Sequence, residues 1–142
     1  MQQQPATVIP SLYVDSVDEV RKFYLEQLGF EHMMGVVGKD GGLDFCIVTR
    51  SGAMVMLSRP DERIEGAAQK FPTKRPLELY FSVEDVDRYH DEVKKRGVTV
   101  AQPLTTQWWG DRNFGVKDPY GYLLWFYQTV GEPKPPPGVN MV

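Results

Sequence analysis

The chain has 142 residues, 42% of them hydrophobic and 25% charged, with a formal net charge of −3. A chain of this length can bury roughly 70% of its unfolded surface in one compact domain, and the lack of a basic field argues against nucleic acid or an anionic membrane as its main partner. One cysteine, Cys46, leaves no intramolecular disulfide, the opening MQQQPATVIP lacks a secretory signal, and no apolar run approaches the ~20 residues of a spanning helix, so a cytoplasmic protein is expected.

Residues 8–14 (VIPSLYV) are rich in β-branched and aromatic side chains and predict a strand. A helix follows. Ser16 is its natural N-cap, Glu19 completes a capping box, Val17, Val20, Tyr24 and Leu28 recur at helical spacing, and Gly29 stops it. Strands near 30–37, 43–49 and 53–58 fit what remains, with turns at Gly41-Gly42 and at Arg50-Ser51-Gly52. Residues 59–76 are polar and punctuated by Pro60, Pro72 and Pro76, a linker with room for a short helix that would cover one edge of a sheet.

The same order then begins again. A strand at 77–83 leads to an Asp85 cap, a helix with Val86, Tyr89 and Val93 on one stripe, a stop at Gly97, and strands near 98–103, 111–117 and 122–128. The tail EPKPPPGVNMV is dominated by proline and is expected to run extended or disordered. Two stretches superpose at an offset of 69 residues, Leu12 over Phe81 and Phe45 over Phe114, with no net insertion between them. Agreement of two windows on one offset indicates two copies of a supersecondary unit. The organisation is a first module at 7–58, a linker at 59–76, a second module at 77–129 and a tail at 130–142.

The doubled unit, the segment VIPSLYVDSVDEVRKFY and the closing GDRNFGVKDPYGYLLWFYQ resemble the vicinal oxygen chelate superfamily. That group takes in glyoxalase I, extradiol dioxygenases, and fosfomycin and bleomycin resistance proteins. The DPYG turn followed by LLWFYQ is most similar to the bleomycin-resistance-like branch, and the resemblance spans roughly residues 7–129. It implies an α+β fold of two βαβββ modules forming a curved mixed sheet with a concave ligand-binding cup, and a homodimer with grooves between subunits. Function does not follow from fold alone, because this architecture hosts many chemistries.

The resemblance also implies where a metal would sit: one ligand in the first strand and one in the last strand of each module. The corresponding positions are Ile9, Met56, Glu78 and Trp125, and among them only Glu78 is an ordinary metal ligand. No catalytic metal and no cofactor are therefore expected. His32 and His90 fall at no matching position, Cys46 lies in an apolar strand pattern that suits an inert thiol, and neither a nucleophile elbow nor a phosphate loop is present.

Side chains alternate along a strand, which puts Ile9 and Tyr13, Glu78 and Tyr80, and Met56, Trp125 and Tyr127 on cup-facing positions. Trp108 and Trp109, read as an extended pair pointing to opposite faces, add two rings near the rim with Arg112 close behind. Such rings serve equally as core or dimer contact. Adjacent Trp108 and Trp109, and a Glu78 carboxylate that is costly on an apolar face unless wet, paired or functional, favour a drug-sized pocket that stacks a planar ligand and pairs a cationic group. These residues predict a metal-independent protein that sequesters a planar aromatic or cationic small molecule. The alternative from another class is a lyase, isomerase or dioxygenase, either metal-dependent or using Glu78 as general base; otherwise no residue is read as catalytic.

Overall fold

The computed structural model describes residues 8–60 and 77–142, in two compact units that divide at Pro72/Thr73. The first carries β1 (Ser11–Tyr13), α1 (Val17–Lys22) widening into a π turn (Phe23–Gln27), β2 (Glu31–Val37), β3 (Leu43–Arg50) and β4 (Ala53–Ser58). The second carries β5 (Glu78–Ser82), α2 (Val86–Lys95), β6 (Val100–Thr106), β7 (Asp111–Lys117) and β8 (Leu123–Thr129). This is an α+β architecture of two βαβββ modules. Each module is a four-stranded mixed sheet, in the order β1-β4-β3-β2 and β5-β8-β7-β6. The first and last strands pair in parallel and the rest antiparallel. The short helix and edge cover expected of the linker fall at 61–76, outside the described residues. Among the described residues no helix is long and apolar enough to cross a membrane.

Local chemistry accounts for the ends of these elements. The Ser16 hydroxyl accepts from the Glu19 amide at 3.1 Å and the Asp85 carboxylate from the Arg88 amide at 3.1 Å, each satisfying a donor that the first helical turn would leave orphaned. Gly29 and Gly97 end the helices with φ of 76° and 92°. β1 is shorter than its sequence suggests. Pro10 has no N–H to give to the ladder, although its carbonyl still accepts from the Met56 amide at 2.9 Å, so Ile9 lies ahead of the strand rather than in it.

The 69-residue offset holds only at the two ends of each module. Ser11 pairs with Met56 as Tyr80 pairs with Trp125, but Ile47 pairs with Met56 whereas Gly115, 68 residues on from Ile47, pairs with Trp125. Two single-residue insertions cancel. The first is in the helix of unit 1: the amide of Phe30 reaches back six residues to the Tyr24 carbonyl, where Val98 reaches back five to Val93. The π turn absorbs the extra residue, as such turns do. The second is in the turn between β7 and β8, where three residues lie between Asp118 and Tyr122, against Ser51 and Gly52 alone between Arg50 and Ala53. Asp118 organises the longer turn, its Oδ1 accepting from the amides of Tyr120 and Tyr122, both at 2.9 Å. A one-residue slip turns a strand over. Phe45 and Phe114, aligned in sequence, therefore lie on opposite faces: Phe45 pairs with Ser58 and Phe114 with the buried Phe126.

Each sheet buries one face under its helix. In unit 1, Val17, Val20 and Tyr24 are fully buried with Leu12, Cys46, Val48, Val55 and Leu57. In unit 2, Tyr89 and Phe114 meet Phe126 at ring-centroid distances of 4.8 and 5.5 Å, and Phe81 stacks on it at 5.2 Å. Each such side chain contributes about 1.5–3 kcal/mol on burial. Each histidine has a partner on or beside its helix. The His90 ring meets Phe114 edge-on at 5.0 Å, and His32 Nδ1 accepts from Arg21 Nε at 2.9 Å.

The tail is tied down where it leaves β8. The amides of Val130 and Gly131 donate to the Gly110 carbonyl at 2.9 and 3.2 Å, and the Lys134 amide donates to the Trp108 carbonyl at 2.6 Å. Gly110 is at φ 100°, and a Cβ there would run into the Gly131 carbonyl oxygen. Gly110→Ala should therefore cost about 1–3 kcal/mol, read as a lowered urea midpoint, with Trp108 fluorescence shifting to the red as the tail detaches. The Cys46 thiol, fully buried, is pushed up to about 11 by that burial, with Asp18 raising it further and Arg21 opposing. Only thiolate alkylates. Iodoacetamide at pH 8 should leave Cys46 unmodified in the native protein and label it at the rate of unfolding, as mass spectrometry would show.

Candidate functional site

The face of each sheet turned away from its helix carries the candidate residues, and the register shows how they are grouped. In unit 2 one row across the open face runs Gln102, Gly115, Trp125, Tyr80, and the next runs Thr105, Asn113, Tyr127, Ser82. Glu78 pairs with Leu123 in the row on the other side. Glu78, Tyr80, Trp125 and Tyr127 are thus neighbours, although the two strands that carry them are separated in sequence by α2, β6 and β7.

Their contacts make one assembly. Trp125 Nε1 donates to Glu78 Oε1 at 3.0 Å. Indole is a donor only and an ionised carboxylate an acceptor only, so each meets the other's need. The bond also fixes the indole plane. Tyr80 stacks on that plane, with centroids 5.8 Å apart and 8° between the rings, and Tyr127 meets Tyr80 at 6.4 Å and 64°. Pairs of this geometry contribute about 0.5–1.5 kcal/mol beyond their area. Tyr80 remains 58% exposed. Loss of hydration, followed by the nearby Glu78 charge, raises the Tyr80 phenol above its ordinary value and keeps the ring neutral. Gly115, opposite Trp125, is where the side chains of Gln102 and Leu123 close in, each 3.2 Å from where a Cβ would stand.

The expected metal quartet is not a donor set. Ile9, Met56 and Trp125 offer no lone pair of the kind a divalent ion takes from imidazole or carboxylate, and the fourth member, Glu78, is engaged by the indole of the third. Among the described residues no three His, Cys, Asp or Glu side chains come together.

The other candidates lie elsewhere. Tyr13 and Met56 are on the open face of unit 1, where Met56 sits in a row with Met34, Ile47 and Ser11, and Tyr13 in a row with Val36, Phe45 and Ser58. That face mixes thioether and aliphatic side chains with the rings of Tyr13 and Phe45, where its counterpart carries Tyr80, Trp125 and Tyr127 beside Glu78. Ile9 precedes β1. Trp108 and Trp109 are not an extended pair but occupy the tight turn between β6 and β7, closed by the Gly110 amide on the Gln107 carbonyl. Their rings meet edge to face at 5.6 Å, and 38% and 40% of their surfaces are exposed. Trp108 forms one wall of a cavity of about 240 Å³ against Val130, Gly131, Glu132 and Lys134.

Arg112 is on the other side of the sheet from the position expected of it. It pairs with Gln128 on the helix face, and its Nε and Nη2 grip the Asp87 carboxylate of α2 at 3.0–3.2 Å while Nη1 donates to Thr106 at 3.0 Å. The Arg112 guanidinium holds the Asp87 carboxyl below the usual carboxylate range. Strand alternation from Trp125 would have placed it so, had the pairing been known. Asn113 was not singled out in the sequence, yet it is buried beside Tyr127 and its Oδ1 accepts from Gln107 Nε2 at 3.1 Å, tying the tryptophan turn to the aromatic row. No sequence signal marks it, since a strand asparagine between Arg112 and Phe114 reads as a neutral residue.

Comparison with known proteins places this geometry. The family model for the Glyoxalase/Bleomycin resistance protein/Dioxygenase superfamily matches residues 6–126. An uncharacterised protein of Mycobacterium bovis is 30% identical over 127 residues, covering 87% of this chain and 81% of that one. A bleomycin resistance protein of Geobacillus stearothermophilus is 26% identical over 132 residues, 86% of this chain and 96% of that one. Among solved structures, an antibiotic binding protein from a Streptomyces species superposes with a TM-score of 0.67 at 21% identity, over 91% of this chain and 99% of that one. The bleomycin-binding protein of Streptomyces verticillus, solved with copper(II)-bleomycin, superposes with a TM-score of 0.64 at 24% identity, over 92% and 100%. The chain belongs to the glyoxalase/bleomycin resistance protein/dioxygenase superfamily, on its bleomycin-resistance-like branch.

Proposed function

We propose that this chain is a small-molecule binding protein that takes a planar aromatic or cationic compound without the help of a metal. The observation that carries the reading is the Tyr80–Trp125 stack, oriented by the Glu78 carboxylate and left open on the sheet face. A flat ligand would stack on the exposed Tyr80 ring, and a cationic substituent would share the carboxylate that already accepts from the indole. Metal independence is supported by the side-chain chemistry at Ile9, Met56 and Trp125. The antibiotic-binding and bleomycin-binding neighbours bind organic molecules on this fold, and that supports a ligand of drug size. The homodimer implied by the resemblance, and a cytoplasmic location, belong to the same reading.

The test is calorimetric titration with bleomycin and with acridine orange, a planar cation, followed by variants. Trp125→Ala should weaken the bound compound at least tenfold, about what one base-sized stacking partner contributes. Glu78→Gln should weaken the cation about three- to tenfold, because an exposed carboxylate is screened, and should leave a neutral aromatic analogue unchanged. Stabilisation by divalent metals with no response to either compound would overturn the reading, as would turnover of a substrate that Glu78→Gln abolishes. Arg112→Ala is the control: removing the Asp87 ion pair should lower the Tm by a few degrees while ligand affinity holds.

A further inference from the structure

We infer that the cavity between the tryptophan turn and the tail binds a small zwitterion, a free α-amino acid with an apolar side chain. The cavity shares no residue with the assembly of Glu78, Tyr80, Trp125 and Tyr127, so it is a second site and goes beyond the proposed function. Its volume of about 240 Å³ lies under the ~300–1,000 Å³ of drug-sized sites and suits a metabolite. Backbone bonds hold its walls together before any ligand arrives: the Lys134 amide donates to the Trp108 carbonyl, and the amides of Val130 and Gly131 donate to the Gly110 carbonyl. A Cβ built on Gly131 meets nothing within 4 Å, so the wall at that position is open.

The lining carries two opposite charges that are not spent on each other. Glu132 and Lys134 both line the cavity, and among the described residues neither forms an ion pair. Each precedes a proline, Pro133 or Pro135, which holds its backbone extended and lowers the cost of ordering it around a ligand. A ligand carboxylate would accept from the Lys134 ammonium, and a ligand ammonium would donate to the Glu132 carboxylate. A simple anion or cation would instead meet one like charge, and a neutral sugar would leave both without an ionic partner. Trp108 and Val130 supply the apolar surface for a side chain, with the indole also able to face the ammonium. Gln107 lines the same cavity and is oriented by its bond to Asn113, which leaves its Oε1 as a further acceptor.

Calorimetric titration of the full chain with L-leucine, with leucinamide and with N-acetyl-L-leucine tests this. L-leucine should bind with a Kd below about 1 mM, and each analogue, lacking one of the two charges, should bind about fivefold more weakly. Lys134→Met should weaken L-leucine about fivefold without weakening leucinamide, which has no carboxylate to lose. Glu132→Gln should weaken L-leucine to the same degree without weakening N-acetyl-L-leucine, which has no ammonium. Trp108→Ala should cost about tenfold while leaving the tail its backbone acceptor, and unchanged far-UV circular dichroism would show that each variant folds. The absence of saturable binding of L-leucine to the wild type would overturn the inference. So would binding whose affinity neither charge variant alters. Acridine orange titrations report separately on the aromatic row.

Discussion

The parallel pairing of first strand with last is the constraint on which each unit depends. β1 and β4, or β5 and β8, are separated by a helix and two strands, so their pairing carries the loop-closure cost of the whole module. Once made, it brings distant residues within a few ångströms. Glu78 and Trp125 are 47 positions apart and share a 3.0 Å hydrogen bond. It also divides each sheet into a buried face and an open one, and the helix covers only the first. The buried face is built from Val, Leu, Phe and Tyr in both units, whereas the open faces differ, with methionines, Ile47, Phe45 and Tyr13 in one and Tyr80, Trp125 and Tyr127 in the other.

That asymmetry distinguishes the two copies of the unit. In the first, Met34, Ile47, Met56 and Val36 lie beside Phe45 and Tyr13, and the methionines make that apolar surface adaptable. A face made of Tyr80, Trp125 and Tyr127, with a carboxylate bonded to the indole, offers flat rings in a fixed orientation. The second also lies close to a turn that the tail holds in place through Gly110, and Asn113 connects the two through Gln107. A ring pair whose planes are set by hydrogen bonding loses less freedom on binding a ligand than one free to rotate. The Glu78 carboxylate accepts from the indole and so orients an aromatic ring.

The compensating insertions show how duplication tolerates drift. An extra residue within a strand would have turned one of the two sheets inside out. Placed in the last turn of α1 it became a π turn, and placed after β7 it became a longer hairpin loop held by Asp118. Helix ends and turns are where an extra residue can be accommodated without exposing a core. The first and last strands kept their mutual register as a result, and with it the pairing on which the open face is built.

Much of this was legible in the chain itself. Strand and helix existence, both N-caps, both glycine stops and the doubling follow from local chemistry and periodicity, which act over a few residues and leave their mark at fixed spacing. The alternation along β5 and β8 likewise placed Glu78, Tyr80, Trp125 and Tyr127 on one face. Register across strands was not legible. Sliding two sequences cannot reveal two insertions that cancel, so Phe45 and Phe114 looked equivalent and Arg112 looked like a rim residue. Only the tertiary structure decided that Arg112 faces a helix carboxylate, that the two tryptophans share a turn, and that Glu78 is held by Trp125. Each depends on which strand lies beside which, a contact between distant parts of the chain that no local pattern encodes.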